Sequence, residues 1–207
     1  MVILALPRLA AHAANQSVSG NVTGRDGSAV AGAVVFVQTP SPSTVRPRTM
    51  AVVDQVNKTF VPGVLPITVG TSVRFPNHDQ IHHHVYSFSP TKTFELPLYK
   101  GDDAPPVVFD KVGVVKIGCN IHDWMSGIIL VLPTQYFTVT GADGRFLLED
   151  LPNGTYVLVA WHALSTVKPE DTAQTVQVPG SVSNITFSLS LSAPRPRPGM
   201  HGLRPEP

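Results

Sequence analysis

A chain of 207 residues with 15 basic and 14 acidic side chains carries a formal charge of only +1 at pH 7. That leaves no basic footprint for nucleic acid and no field strong enough to steer a charged partner. Its 43% hydrophobic and 14% charged residues suffice for one or two packed domains, yet no run approaches the roughly 18–20 apolar residues that span a membrane.

Twenty prolines and sixteen glycines among short apolar runs predict an all-β chain with many turns. In chain order, residues 1–14 begin Val2-Ile3-Leu4-Ala5-Leu6 and end on Ala11-His12-Ala13, an A-x-A cleavage pattern. Pro7 and Arg8 interrupt the apolar core and no basic n-region precedes it. The reading is a signal peptide cut short at Met1, hence export to the periplasm. With one cysteine, no internal disulfide is expected.

Next comes VTGRDG at 22–27, followed by AVAGAVVFV at 29–37. The motif recurs as VTGADG at 139–144, followed by Phe146-Leu147-Leu148 and LPNGTYVLVA at 151–160. Each Asp-Gly pair lies between strand-like residues and predicts a hairpin. Of the pair Trp161-His162, the indole is expected in a core and the imidazole at a sheet edge. The tail 192–207 lacks apolar content and is expected to be disordered. Its Arg195, Arg197 and Arg204 stand against Glu206, which leaves the rest of the chain nearly neutral.

Between the two echoes lie the residues that carry chemistry. A strand-like run, GTSVRFPN at 70–77, leads into His78, His82, His83 and His84, four of the eight histidines. A β-branched run at 112–117 then approaches Gly118, and an apolar run at 128–132 leaves Gly127. Between them stand Cys119, His122 and Met125. In an extended strand residues three apart face opposite ways, so Cys119 and His122 can share a ligand only on a turn, which the flanking glycines suit. A thiolate, imidazoles and a weak thioether form the donor set of copper electron-transfer sites. A catalytic Cys–His pair would leave Met125 and the histidine cluster unexplained. Zinc takes thioether poorly and its structural sites want more thiolates. One cysteine excludes a copper pair bridged by two.

These residues resemble the cupredoxins. The loop C-x2-H-x2-M has the amicyanin spacing, shorter than that of plastocyanin, and GTSVRFPN resembles the cupredoxin strand that ends in Asn. HHVYSFS at 83–89 and GCNIHDWM at 118–125 are similar to runs in bacterial cupredoxin-domain proteins often labelled methylamine utilisation proteins. The resemblance covers about residues 50–133. It implies a Greek-key β-sandwich binding one type 1 copper through His83, Cys119, His122 and an axial Met125. It also implies an electron port at His122, with Trp124 as a contact or a core residue, and single-electron transfer without turnover between unidentified redox proteins. Copper handling without fast transfer is the alternative function, and an accessory subunit of an oxidoreductase a third. A monomer is expected.

The first imidazole has two candidates. Strand alternation puts His83 with Val85 and Ser87, and His84 with Tyr86 and Phe88; the second face reads as more core-like and favours His84. The count from Asn77 and the pattern H-x-V-x-S of other cupredoxins favour His83, which we take as the ligand with His84 as alternative. Where family members place Asn after the first ligand this chain has His84, and where amicyanin has prolines around the loop His it has Ile121 and Asp123.

The echoes at 22–37 and 139–160 resemble two halves of a carboxypeptidase-regulatory-like β-sandwich. The resemblance implies first and second parts at 15–49 and 134–191, with the cupredoxin at 50–133 inserted between them or flanked by them. Insertion is preferred because so short an N-terminal piece buries too little surface alone.

Overall fold

The computed structural model describes residues 16–38, 50–178 and 182–193. The expected signal-peptide remnant, the run 39–47 and the tail beyond residue 193 lie outside them.

The protein is all-β. Two strands come first, β1 (Gln16–Gly24) and β2 (Val34–Gln38). A middle set follows: β3 (Ala51–Val52), β4 (Asp54–Val56), β5 (Thr59–Val61), β6 (Val64–Thr68), β7 (Thr71–Arg74), β8 (His83–Ser89), β9 (Lys92–Tyr99), β10 (Val107–Phe109), β11 (Gly113–Gly118) and β12 (Ser126–Leu132). The last set is β13 (Phe137–Val139), β14 (Arg145–Leu151), β15 (Gly154–Trp161), β16 (Gln174–Val178) and β17 (Val182–Leu189), with one 3-10 turn at Pro169–Thr172.

Strands from the two ends of the described chain share sheets. One has the order β14-β1-β17 and the other β13-β2-β15-β16. The middle strands form separate sheets, β10-β7-β3 and β6-β12-β11-β8-β9, plus the small hairpin β4-β5. Each pair of larger sheets encloses its own core. The outer pair packs Val18, Val22, Val35, Leu148, Leu158 and Phe187, while the middle pair packs Phe60, Val73, Phe75, Val85, Phe109 and Ile129.

A third apolar cluster joins the two sandwiches. Along β12, Ile129 and Val131 turn into the middle core, while Leu130 and Leu132 turn outward against Val34, Phe36 and Val159. Strand β2 divides the same way, Val35 and Val37 to its own core and Val34 and Phe36 to the seam. A strand buried on both faces needs an unbroken apolar run rather than alternation, and Ile128-Ile129-Leu130-Val131-Leu132 supplies one. Trp161 packs half-buried against this seam rather than within one core.

The Asp-Gly motifs turn the chain back on itself only briefly and do not pair β1 with β2 or β13 with β14. Gly27 (φ 81°) and Gly144 (φ 74°) take the left-handed conformation that the motif implies, yet β1 and β2 belong to different sheets, as do β13 and β14. After the first turn Val30 N–H bonds back to Val22 O, and a lone bridge joins Thr23 to Ala29. The chain then crosses at Gly32 (φ 73°) to the opposite sheet. The two turns lie against each other: Val22 N–H donates to Gly144 O at 2.8 Å, and Thr140 Oγ1 donates to Val30 O at 2.7 Å. Turn chemistry is local, whereas sheet membership is decided by where Val22, Val30 and Ala33 are buried.

Gly144 tests this contact. A Cβ there would stand 2.6 Å from Val22 O on a backbone with φ 74°. Gly144→Ala should cost at least about 1–2 kcal/mol, read as a lower urea midpoint at unchanged slope. An unchanged midpoint would contradict the contact.

Candidate metal centre

The loop that carries Cys119 is set by the register of the hairpin around it. β11 and β12 pair without interruption from Gly113↔Val131 to Gly118↔Ser126, so residues 119–125 must close over one end. Two backbone bonds tie that closure: Cys119 N–H donates to Met125 O at 3.1 Å and Met125 N–H to His122 O at 2.8 Å. Gly118 permits it. A Cβ at Gly118 would lie 3.1 Å from Tyr86 Cζ and Oη, so the tyrosine ring covers the backbone beside the cysteine. Cys119 and Met125 are both buried in the middle core, while Ile121 and Trp124 are exposed on either side of His122.

His83 opens β8 on the facing strand. It pairs with Tyr99, whereas Val85 pairs with Leu96, and the register shift between them falls where Pro97 of β9 has no N–H to give. His83 is fully buried. Its Nδ1 lies 3.8 Å from Cys119 Sγ, and His122 Nδ1 lies 3.7 Å from the same sulfur. The donor atoms of His83, Cys119 and His122 all fall within 4.8 Å of one another, and the two imidazoles meet edge to face at 4.9 Å. This convergence of two imidazoles on one thiol decides the comparison.

The middle sandwich resembles a cupredoxin.

Solved structures similar to this chain include a purple cupredoxin from Nitrosopumilus maritimus, 27% identical over 41% of this chain and 100% of its own, with a TM-score of 0.36. A reduced point variant of amicyanin is 20% identical over 47% of this chain and 98% of its own, with a TM-score of 0.38. A copper-containing nitrite reductase from Thermus scotoductus SA-01 is 28% identical over 47% of this chain but only 25% of its own, with a TM-score of 0.38. No family model matches the chain, and no curated protein does either.

The other histidines of the 78–84 cluster lie outside this convergence. His84 points to the other face of β8, where Nε2 meets Glu95 Oε1 at 2.8 Å and the ring lies 5.6 Å from Tyr86. The face judged more core-like from its aromatic residues is therefore the outer one, with Phe88 79% exposed, while His83, Val85 and Ser87 are wholly buried. His82 is exposed. His78 is exposed too and bonds Asp54 through Nδ1 at 2.7 Å; that hydrogen bond and the carboxylate charge raise its pKa above the ordinary histidine value.

Two neighbours shape the approach to His83: Asn77, which the sequence marks as the end of its strand, and Asp79, which it does not. Asn77, buried, donates through Nδ2 to Ile81 O and Tyr99 O and accepts from Asp79 N–H, so its amide shapes the turn before His83. Asp79 Oδ2 lies 2.7 Å from His83 Nε2, and its only sequence signal is the four-residue step from Asp79 to His83. Burial pushes the Asp79 carboxyl up, but bonds from Lys58 N–H, His83 and Asn57 N–H outweigh it, and the net shift is downward. At His122, desolvation and the neighbouring His83 lower the imidazole pKa. An open cleft of about 760 Å³, lined in part by Tyr86, Phe88, Lys116, Asp123 and Met125, reaches Cys119 from the outer face of the sheet.

Tyr99, opposite His83, carries a pH signature. Its hydroxyl donates to Phe75 O at 2.5 Å and accepts from Gln55 Nε2 at 2.6 Å, and burial raises its pKa to about 12. The unfolded tyrosine ionises near the ordinary value of 10.0 while the folded one keeps its proton to about 12. The stability it contributes is therefore whole below pH 10 and lost as pH rises toward 12. Tyr99→Phe should cost about 1 kcal/mol at neutral pH, with the gap to the parent shrinking between pH 10 and 12 in urea titrations. A gap independent of pH across that window would contradict the assignment.

Proposed function

We propose that this chain is an exported type 1 copper protein that carries single electrons between redox partners in the periplasm, with no turnover of its own. In this reading His83, Cys119 and His122 would hold the metal with Met125 as a weak further donor, and His122 would be the electron port. A cupredoxin at 50–133 sits within a regulatory-like sandwich made of 15–49 and 134–191, which serves as its scaffold.

One observation carries the reading: the spacing of the sulfur and the two nitrogens. Bonds of zinc-like length, about 2.3 Å to sulfur and about 2.0 Å to imidazole, separate S from N by about 3.7 Å when the donors lie in a plane about 120° apart. The distances here are 3.8 and 3.7 Å, so one ion could be held by all three donors, and a single thiolate with two imidazoles beside Met125 is the donor set that suits copper. Bound copper would supply a one-electron couple between Cu(I) and Cu(II).

The chain's own residues do the rest. The backbone bonds that close residues 119–125 hold Cys119 and His122 in place, and burial of Cys119 and Met125 in the middle core limits rearrangement. His122 is half-buried, its ring 5.4 Å from that of Trp124. Trp124 and Ile121, both exposed, give a partner an apolar surface beside that imidazole, of the kind protein interfaces favour. Cys119 as thiolate is the donor through which electron density is shared most strongly with a soft metal.

Copper-loaded protein should show an intense thiolate-to-Cu(II) absorption in the visible that Cys119→Ser abolishes. His83→Ala should remove it and His84→Ala should leave it. Colourless protein that holds only Cu(I) would sink the electron-carrier reading and leave copper handling in its place.

A further inference from the structure

Asp79 sits at the centre of a contact that reaches from the β4–β5 hairpin to the buried His83. Asn57 and Lys58, the two residues of that hairpin's turn, have φ of 53° and 56°, the doubly left-handed conformation of a type I′ turn. Lysine is uncommon in that region, so something must hold it there. Both backbone N–H groups point at one carboxylate: Asn57 N–H donates to Asp79 Oδ1 at 2.6 Å and Lys58 N–H to Oδ2 at 2.8 Å. Asn77 Oδ1 fixes the backbone of Asp79 by accepting from its N–H at 3.0 Å. The carboxylate's remaining capacity goes to His83 Nε2, 2.7 Å from Oδ2.

Donor counting sets the proton. With backbone N–H groups on both oxygens, the carboxylate acts as an acceptor, and an ionised carboxylate has no proton to give. An ionised Asp79 can hydrogen-bond His83 only when the proton sits on Nε2. A neutral imidazole with Nε2 protonated has its lone pair on Nδ1, the nitrogen that lies 3.8 Å from Cys119 Sγ.

We propose that Asp79, held by the β4–β5 turn, is the positioning residue of the metal centre: it fixes His83 as the Nε2–H tautomer, aims Nδ1 at the site and raises its strength as a donor. This rests on the reading of His83 as a metal donor. Carboxylate partners of ligating histidines act in this way generally, and their loss costs about 10–100-fold in metal affinity. A stronger imidazole donor favours the more charged Cu(II) over Cu(I), so Asp79 also holds the reduction potential down.

The test uses the full chain, with Asp79→Asn and Asp79→Ala compared with the parent. Cu(II) affinity by chelator competition should fall about 10–100-fold in both variants, with Cu(I) affinity falling less. The potential should rise by about 59 mV for each tenfold difference between the two losses. Nitrogen NMR of the metal-free parent should show His83 protonated at Nε2, with Asp79→Ala producing a mixture of tautomers. Folded variants that keep their Cu(II) affinity would overturn the proposal, and so would equal losses of Cu(I) and Cu(II) affinity with the tautomer unchanged. If the parent bound no copper, the metal reading would fail. The tautomer would then decide on Asp79 alone: Nε2–H upholds its positioning role and Nδ1–H overturns it.

Discussion

A fully buried imidazole must have both ring nitrogens placed, because an orphaned polar group in a core costs about 1–3 kcal/mol. His83 meets that demand with a carboxylate on one side and a thiol on the other, and much of the middle sandwich near it serves this arrangement. Asn77 folds the turn that leads into β8. The β4–β5 hairpin presents its turn N–H groups to Asp79. Pro97 permits the shift in β9 that lets His83 lie opposite Tyr99. The cysteine side of the site is simpler, a closed loop on a regular hairpin.

β12 ties that loop to the rest of the molecule. Its N-terminal end closes the Cys119–Met125 loop, and its other residues alternate between the middle core and the seam with β2 and β15. A strand with no solvent face cannot slip register without pushing one apolar set into the other core. The outer sandwich therefore does more than surround the middle one: Val34, Phe36 and Val159 cover Leu130 and Leu132, which would otherwise be an exposed apolar stripe on the sheet that carries Cys119.

The parts of this arrangement that could be read in the sequence are the local ones. Cys119, His122 and Met125 lie in a single loop between two β-rich runs, so their spacing was enough to predict a turn and a donor set. The choice between His83 and His84 was harder because Tyr86 and Phe88 make the outer face look like a core. In the fold that face carries an exposed Phe88, and the buried face carries His83, Val85 and a serine. Asp79 was not legible, since its role depends on a hairpin turn 22 residues upstream. The Asp-Gly motifs show the same division: the left-handed glycines were readable, while the crossing between sheets rests on packing around Val22, Val30 and Thr140 that no local pattern records.

Two chain segments 36 residues apart thus meet in a cluster whose side chains are oriented by the protein's own hydrogen bonds, as the proposed copper site requires. X-ray absorption of the copper-loaded protein addresses this most directly. One copper per chain is expected, with one short sulfur and two imidazole nitrogens. A copper shell of nitrogen and oxygen alone, or one that includes sulfur but survives His83→Ala unchanged, would contradict it.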